Sequence, residues 1–460
     1  MILSVQKIQT QGIGKMRDDL QKLFTIGQCH NASLNLEWGQ RLVPYLESAL
    51  IHAGTYSSDE IQGHVKFFLD HIAPYLNYDG QTGHGPQYPS SMTNDQTPFE
   101  LSLCWKSLKQ DYKPIIRFIT DIIPSNAENT RAASLSQSIN LIGTLDRVSK
   151  ESCAPTVHAL PELWRQISEE FHRHEVDVHP SGGCPRCGPS STFMGFDLKA
   201  SVISSKFYWL LPSCQTTEKA LALLDTVFAS CARLHNFFGS PIFLSSWGQI
   251  RTHMQSNPDV LQPRMLSVDA TSFPAPRIKI YTRCLFNEKR SFDEWEQHLN
   301  LDGAISYSHD FRTTACNLWT SLATNPEGWK QSRPKAGPKY CLVLYELTAS
   351  SHSASTTTES YDLKSKLSSK LYIMCQEIPR KDSIIARELL RHCQLAAKAD
   401  ILRTLADASA PTNFISEIGL APREQGTEMS VYLNPSFFSR STWEVADDEY
   451  MTKCRITLPS

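Results

Sequence analysis

The sequence lacks the uninterrupted apolar runs that mark membrane and exported proteins. No window approaches the ~18 consecutive apolar residues that a membrane-spanning helix needs. The most apolar stretch, residues 220–244, is interrupted by Asp225, Arg233 and His235. Residues 1–16 contain no sustained apolar run, so we expect no secretory signal. These absences predict a cytoplasmic protein that does not interact with a membrane.

Net charge and a regular cysteine pattern are also lacking. The 45 Lys and Arg residues are nearly balanced by 47 Asp and Glu residues, which leaves a formal charge of -2. No global field therefore attracts nucleic acid, and any positive site must be local. The 13 cysteines are odd in number and have no framework spacing, which indicates reduced thiols.

Several catalytic motifs are absent. The chain has no P-loop and no G-x-S-x-G elbow, and no strand precedes Gly12-Ile13-Gly14 to make it a dinucleotide fingerprint. The acidic pairs at 18–19 and 447–448 lack a partner acid at the spacing that would bridge magnesium ions to a pyrophosphate. The sequence thus excludes the commonest nucleotide-binding and magnesium-diphosphate sites.

One segment resembles a metal site. Cys184-Pro185-Arg186-Cys187 follows His172, His174 and His179. A structural zinc usually takes two such pairs at defined spacing, and a second pair is missing. We therefore interpret this segment as a loop with two free thiols and predict no metal.

What the sequence does contain is a set of short strands with polar and apolar faces. In Arg277-Ile278-Lys279-Ile280-Tyr281, the cations and the phenol share one face and the isoleucines share the other. Lys206 and Tyr208 alternate with Phe207 and Trp209 in the same way. Repetition of this pattern predicts a sheet closed around a polar, cationic and aromatic lumen, with helices covering its apolar side.

The order of the predicted elements is helices followed by paired strands, repeated several times. That order indicates antiparallel pairs within one domain and argues against βαβ units. The 460 residues suit a single large domain. We predict that residues 1–460 form this domain, with a main body of about 36–435 and peripheral segments 1–30 and 436–460.

Five motifs occur in a fixed order along most of the chain. They are TPFELS from Thr97, GFDLK from Gly195, KFY from Lys206 with a proline at 212, RIKIY from Arg277 and MSVY from Met429. Together they resemble the fungal aromatic prenyltransferases of the dimethylallyltryptophan synthase family.

The resemblance implies an α+β fold, a ten-stranded antiparallel β-barrel of repeated ααββ units with helices outside and the active site in the lumen. It also implies transfer of a dimethylallyl group from dimethylallyl diphosphate to the indole ring of tryptophan or a tryptophan-derived acceptor, in alkaloid biosynthesis. Members of this family need no cofactor or essential metal. The expected partners are therefore two small molecules, the aromatic acceptor and the prenyl diphosphate.

The resemblance assigns roles to individual residues, and the chemistry of each side chain suits its role. Cations stabilise charge that develops on a leaving diphosphate. Aromatic faces stabilise an allyl cation by ~0.5–2 kcal/mol each. A buried carboxylate accepts the indole N–H. The diphosphate would be held by Arg117, Lys206, Arg277 and Lys279, the cation shielded by Tyr208, Tyr281, Tyr345, Tyr372 and Tyr432, and the indole oriented by the catalytic carboxylate of Glu100.

Three further residues match acceptor-binding positions. Ser91 and Met92 match the backbone segment that receives the amino end of the acceptor. Arg264 matches an arginine that binds the carboxylate of free tryptophan, which a neutral cyclic dipeptide cannot use. This favours tryptophan, with a cyclic dipeptide or an indole-diterpene as the alternative acceptor.

Two positions depart from the family pattern. Glu428 stands four residues before Tyr432, where many relatives have another shielding tyrosine, and a carboxylate there is expected to weaken the shield or to contact the acceptor. Val343 stands where a polar or aromatic residue is common, so it is expected to open space for a longer donor chain such as geranyl.

Other functions remain open on the sequence. A non-catalytic barrel that binds an amphipathic anion would retain the donor intact. Nucleic-acid binding is disfavoured because the basic residues are confined to one face of the strands. Either a monomer or a homodimer is compatible with the sequence.

Overall fold

The computed structural model describes most of the main body predicted from the sequence. The described residues are 38–76, 88, 90–93, 96–108, 113–124, 130–151, 155–179, 184, 186–270, 276–286, 291–324, 339–351, 363–375, 382–393, 402–403 and 414–435. The segments predicted to be peripheral, 1–30 and 436–460, lie outside them, as do both acidic pairs. The extent of the single domain remains a prediction.

Eleven described strands form one sheet. Ten are long enough to alternate several side chains between two faces, and β3 is a short addition. The strands are β1 Phe99–Trp105, β2 Ile115–Asp121, β3 Thr156–His158, β4 Thr192–Lys199, β5 Val202–Leu210, β6 Leu261–Asp269, β7 Arg277–Phe286, β8 Lys339–Ser351, β9 Leu363–Met374, β10 Ile415–Arg423 and β11 Gly426–Leu433.

The helices alternate with these hairpins. In the described chain, two helices precede each of the first four hairpins, and the third hairpin has the four-residue α6 in addition. One described helix, α10, precedes the fifth hairpin. The helices are α1 Trp38–Ala53, α2 Ser58–Phe67, α3 Arg131–Ser149, α4 Pro161–Val178, α5 Thr217–Ala232, α6 Asn236–Gly239, α7 Pro241–Ser256, α8 Phe292–Leu299, α9 His309–Trp319 and α10 Asp382–His392. The predicted ααββ repeat is confirmed.

The sheet closes on itself. Its order is β5-β4-β2-β1-β11-β10-β9-β8-β7-β6, and β6 pairs again with β5. All these pairings are antiparallel, whereas β3 lies parallel to the start of β5. Within this order the first strand pairs with the last, because Ser102 of β1 is opposite Tyr432 of β11. The ten-stranded antiparallel barrel expected from the resemblance is confirmed.

The apolar residues of the strands divide between two separate clusters. The larger cluster lies between the barrel and its helices, and there Phe68, Phe99, Phe118 and Phe196 contact one another with ring centroids 4.9–5.7 Å apart. The smaller cluster lies inside the lumen. Membership in one cluster or the other therefore shows which way a strand residue points.

The helix ends follow the usual capping chemistry. Ser57 begins α2 with a capping box, in which its side chain accepts from Glu60 N and the Glu60 carboxylate accepts from Ser57 N at 2.7 Å.

Among the helices that the structure describes, none is both long enough and apolar enough to cross a membrane.

Candidate active site in the barrel lumen

Side chains from all ten barrel strands point into one lumen. Alternation along β7 places Arg277, Lys279 and Tyr281 inside, while Ile278 and Ile280 are fully buried against the helices. A cavity of about 260 Å³ occupies one end, and its lining includes Glu100 and Arg264. Along the barrel axis we distinguish a cation layer, a tyrosine belt and an acceptor end.

The cation layer brings together the four cations that the sequence predicts. Arg117, Lys206 and Lys279 are buried, and Arg277 is half-buried. Sequence reasoning missed three further members. Lys370 comes from β9, Arg423 ends β10, and Lys106 follows β1.

Four carboxylates are interleaved with these cations. Asp269 accepts hydrogen bonds from Lys279 Nζ at 2.6 Å and Arg277 Nε at 2.9 Å. Asp197 pairs with Lys206 and, at 3.1 Å, with Arg117 Nε. The remaining acids are Glu346, which lies 3.2 Å from Arg423 and 3.8 Å from Arg277, and Glu428, which lies 3.3–4.0 Å from Lys106, Arg423, Lys370 and Arg117. Among the side chains that the structure describes, seven cations against four carboxylates give this layer a formal excess of three positive charges, which suits a diphosphate ester.

Burial and neighbouring charges together set the protonation of this layer. Burial by itself would raise the pKa of Asp269, but Lys279 and Arg277 hold that pKa below its usual range. Burial, followed by the neighbouring Arg277, lowers the pKa of Lys279 to about 7. Burial also lowers the pKa of Lys370 to about 8. The layer can therefore take up protons when an anion enters it.

The tyrosine belt lies next to the cation layer. The rings of Tyr208, Tyr281, Tyr372 and Tyr432 follow one another with centroids 5.9, 5.8 and 5.8 Å apart. Burial raises the pKa of each phenol well above its ordinary value, so all four remain neutral. Four predicted members of the cation shield are thus adjacent in space.

Tyr345 is not part of the belt, so its predicted place in the shield is wrong. It is 0% exposed in the outer cluster, and its hydroxyl donates to His298 O of α8 at 2.7 Å. It is opposite the outward-facing Ile280 on β7. The lumen face of β8 carries Leu342 and Leu344 instead.

The two departures from the family pattern also lie elsewhere than expected. Val343 is fully buried in the outer cluster, so it opens no space beside the donor chain. Glu428 is in the cation layer, with Lys106 Nζ at 3.3 Å and Lys370 Nζ at 3.5 Å. Strand alternation places it two inward-facing positions from Tyr432, with Ser430 between them, and there it neutralises cations.

Glu100 lies at the acceptor end, where its side chain lines the cavity and is 6% exposed. The Ser416 hydroxyl donates to Glu100 Oε1 at 2.6 Å. A β-bulge between Ile415 and Glu417 makes this contact possible, because the extra residue points along the sheet toward β1. Glu100 is therefore held in place by the last hairpin of the barrel.

A second carboxylate, Glu417, lines the same cavity. Burial raises its pKa to about 7, and the nearby Lys370 opposes the shift. Sequence reasoning missed this residue. The bulge reverses the local alternation, and no periodic pattern marks a bulge in advance.

Two guanidinium groups lie at the acceptor end. Arg264 and Arg283 both line the cavity, and Arg283 stacks on the Tyr340 ring at 4.1 Å. Burial, followed by repulsion from Arg283, lowers the pKa of Arg264 to about 10, so the group stays charged at neutral pH. Within the part of the chain that the structure describes, neither arginine pairs with a carboxylate. They form an anion site open to the cavity.

Ser91 and Met92 complete this end of the cavity. Ser91 N donates to Ser190 Oγ at 3.0 Å, and Met92 N donates to Ser90 Oγ at 3.1 Å. Ser90 is itself bonded to the buried Asp121 at 2.7 Å. With its amides satisfied, this segment offers carbonyl oxygens to a ligand.

Comparisons with known proteins agree with this architecture. One curated relative, 4-O-dimethylallyl-L-tyrosine synthase of Claviceps purpurea (strain 20.1), is 25% identical over 299 residues, which are 63% of this chain and 63% of that protein. The match thus spans less than two thirds of that relative's length.

Solved structures share the fold. AnaPT from Neosartorya fischeri superposes with a TM-score of 0.64 at 19% identity, covering 87% of this chain and 94% of AnaPT. The 5-dimethylallyl tryptophan synthase from Streptomyces coelicolor, in complex with DMASPP and Trp, gives a TM-score of 0.56 at 15% identity, covering 86% and 96%. The family model described as tryptophan dimethylallyltransferase matches residues 35–406. The chain belongs to the tryptophan dimethylallyltransferase family.

Proposed function

We propose that this protein is an aromatic prenyltransferase that moves a dimethylallyl group from dimethylallyl diphosphate to the ring of tryptophan or a tryptophan-derived acceptor. The observation that carries the proposal is the order of layers in one lumen. An excess of buried cations, a belt of four neutral tyrosines and a buried carboxylate follow one another along the axis.

The cation layer would stabilise the departing diphosphate. As the C–O bond of the donor breaks, the diphosphate leaves with the electron pair, and Lys279, Arg277, Lys206 and Arg117 stabilise its charge. The layer supplies by itself the charge that magnesium provides in many diphosphate sites. We therefore infer that transfer requires no metal bridging the diphosphate.

The tyrosine belt would protect the carbocation. The π faces of neutral phenols stabilise the allyl cation by ~0.5–2 kcal/mol each and exclude water. The acceptor ring carbon then attacks the cation and forms the new C–C bond. Glu100 accepts the indole N–H, and Glu417 accepts the proton that the ring releases to recover aromaticity.

The anion site supports an acceptor with a free carboxylate. Arg264 and Arg283 would bind the carboxylate of an amino acid, and the carbonyls of Ser91 and Met92 would receive its ammonium. A neutral cyclic dipeptide or an indole-diterpene would leave both arginines unpaired at a cost in affinity. Tyrosine is a second candidate acceptor, because the curated relative is named for dimethylallyl-L-tyrosine formation.

The proposal is tested by mass spectrometry of reactions with purified protein and dimethylallyl diphosphate. The acceptors are tryptophan, tyrosine, tryptophan-containing cyclic dipeptides and an indole-diterpene, each with and without magnesium. We expect an adduct with one prenyl group on tryptophan, formed equally well in both buffers. Glu100→Gln is the test variant for the carboxylate, since it keeps an acceptor for the Ser416 hydroxyl but removes the negative charge. We expect this variant to give a lower yield of the prenylated adduct.

Three results would decide against parts of this proposal. A donor that is bound but recovered intact with every acceptor would indicate a non-catalytic barrel. A strict requirement for magnesium would contradict the role of the cation layer. Activity with cyclic dipeptides alone would contradict the role of the anion site.

A further inference from the structure

Four metal-ligating side chains converge beside the acceptor end of the barrel. His179, Cys184, Cys187 and Cys214 each offer one ligand atom, and these atoms all lie within 4.8 Å of one another. The C-x-x-C pair lies in the loop between α4 and β4. His179 follows the end of α4, and Cys214 comes from the turn after β5. The fold thus supplies the two further ligands that the sequence pattern lacks.

The measured separations suit a tetrahedral ion. His179 Nε2 is 3.3 Å from Cys214 Sγ and 3.9 Å from Cys187 Sγ. Zinc binds sulfur at ~2.3 Å and imidazole nitrogen at ~2.0 Å, so tetrahedral ligand atoms are about 3.5–3.8 Å apart. Small side-chain adjustments would bring all four atoms to bonding distance.

The imidazole of His179 is already oriented for binding. Its Nδ1 lies 2.9 Å from Glu175 Oε2, and this carboxylate is 2% exposed and held by Arg131 Nε at 2.8 Å. An N–H donated from Nδ1 to the carboxylate leaves the Nε2 lone pair directed at the sulfurs. Histidine ligands of metals almost always donate their other ring N–H to an acceptor, and a carboxylate is one of the usual acceptors.

The backbone of the C-x-x-C segment forms a tight turn that also suits metal binding. Cys187 N donates to Cys184 O at 3.0 Å, which closes a tight turn between the two cysteines. Gly188 has φ +66, and a Cβ there would lie 2.8 Å from Ser91 Oγ. The turn therefore needs glycine at this position. Gly188 packs closely against Ser91, which belongs to the predicted acceptor-binding segment.

We propose that His179, Cys184, Cys187 and Cys214 bind one structural zinc ion. Three thiolates and an imidazole form a closed tetrahedral site, and such soft ligands select zinc over magnesium. The ion has no role in diphosphate chemistry. Since Cys187 lines the cavity, the ion would fix the loop that forms this part of the lumen wall.

Elemental analysis of protein purified without a polyhistidine tag tests the proposal. We expect about one equivalent of zinc per chain, and a drop to the buffer level in Cys184→Ser and Cys214→Ser. Cys316→Ser is the matched control, because Cys316 is a half-buried free cysteine on α9, and it should retain the full equivalent. Zinc retained by a double Cys184→Ser/Cys214→Ser variant would overturn the proposal.

Two measurements on the unmutated chain guard against variants that fail to fold. Replacement of the zinc by cobalt should give the intense visible bands of tetrahedral cobalt with thiolate charge transfer. Removal of the metal should lower the melting temperature, and zinc should restore it. A metal-free chain whose C-x-x-C cysteines are joined in a disulfide, and which binds no cobalt after reduction, would refute the site. These readouts do not depend on prenyl transfer, so they stand or fall separately from the proposed function.

Discussion

Lys279 and Asp269 lie diagonally across the paired strands β7 and β6, and Lys279 Nζ donates a hydrogen bond to Asp269 Oδ2 at 2.6 Å. Both side chains are buried, and the same oxygen also accepts from Arg277 Nε at 2.9 Å. The cations of the lumen are thus stabilised before any ligand arrives. An incoming diphosphate adds to charges that are already positioned, which reduces the reorganisation that binding requires.

Asp269→Asn removes the negative charge that Lys279 and Arg277 share, and it leaves these two cations with at most a neutral acceptor. Breaking a buried pair in this way costs about 3–5 kcal/mol, so we expect that decrease in the free energy of unfolding. Inorganic diphosphate should raise the melting temperature of the variant more than that of the parent. Asp225→Asn, which affects the half-exposed pair with Arg251, should cost at most ~1 kcal/mol. A similarly small loss for Asp269→Asn would contradict this prediction, which chemical denaturation measures.

Tyr281→Leu removes a ring from the middle of the belt, while Tyr345→Leu removes one from the outer cluster. For Tyr281→Leu we expect more of the donor to be hydrolysed to dimethylallyl alcohol for each acceptor prenylated, because water reaches a less stabilised cation. For Tyr345→Leu we expect lower stability and an unchanged ratio of alcohol to product. The ratio is measured by chromatography, and an equal rise in both variants would show that Tyr281 does not act on the cation.

Arg264→Ala and Arg283→Ala each remove one guanidinium from the anion site. A hydrogen bond to a charged group is worth ~1.5–3 kcal/mol, so each change should raise the KM for tryptophan by roughly 10- to 100-fold. The KM for a tryptophan-containing cyclic dipeptide should stay within about twofold of the parent value. Steady-state kinetics with both acceptors measure the contrast, and no change with either acceptor would exclude a carboxylate-binding role.

The pH dependence of kcat reports on Glu417. Its neighbours around the cavity are Glu100 on β1, Lys370 and Tyr372 on β9 and Tyr432 on β11. Burial raises its pKa to about 7, and a carboxylate accepts a proton only when ionised. We therefore expect kcat to rise with pH through about 7 and to be roughly tenfold below its plateau one unit lower.

Glu417→Gln cannot ionise, so its kcat should be low and flat over the same range. Glu424→Gln, an exposed change in the β10–β11 turn, should retain the parent profile. A rise through pH 7 that persists in Glu417→Gln would assign the titration to another group.

The sequence was sufficient to predict the barrel and most of the cation layer. In residues 206–209 of β5 and 277–281 of β7, charged or phenolic side chains alternate with apolar ones, so the lumen face is evident from the residues alone. In β8 the inward Leu342 and Leu344 alternate with the outward Val343 and Tyr345, and both faces are apolar. Periodicity cannot distinguish such faces, and this ambiguity explains the wrong placement of Tyr345.

Other residues were out of reach for a different reason. Glu417 depends on a bulge, and the alignment of Arg264 with Arg283 depends on a second register shift between Pro263 and Met265. The sequence places His179 upstream of the C-x-x-C pair, whereas Cys214 lies beyond β5 and meets the pair only through the packing of the folded chain. These contacts join residues that are distant in sequence, so they are determined by the packing of the complete fold and not by any local pattern.

The contact between Ser416 and Glu100 joins residues 316 positions apart, across the seam where the last strands meet the first. A growing chain that leaves the ribosome holds no complete site until its fifth hairpin has emerged. A fragment truncated before β10 would have a gap in the lumen and two exposed strand edges, which invite pairing with other chains. Translation must therefore be nearly complete before the chain can bind a substrate productively, and an early stop would produce an aggregating polypeptide without partial activity.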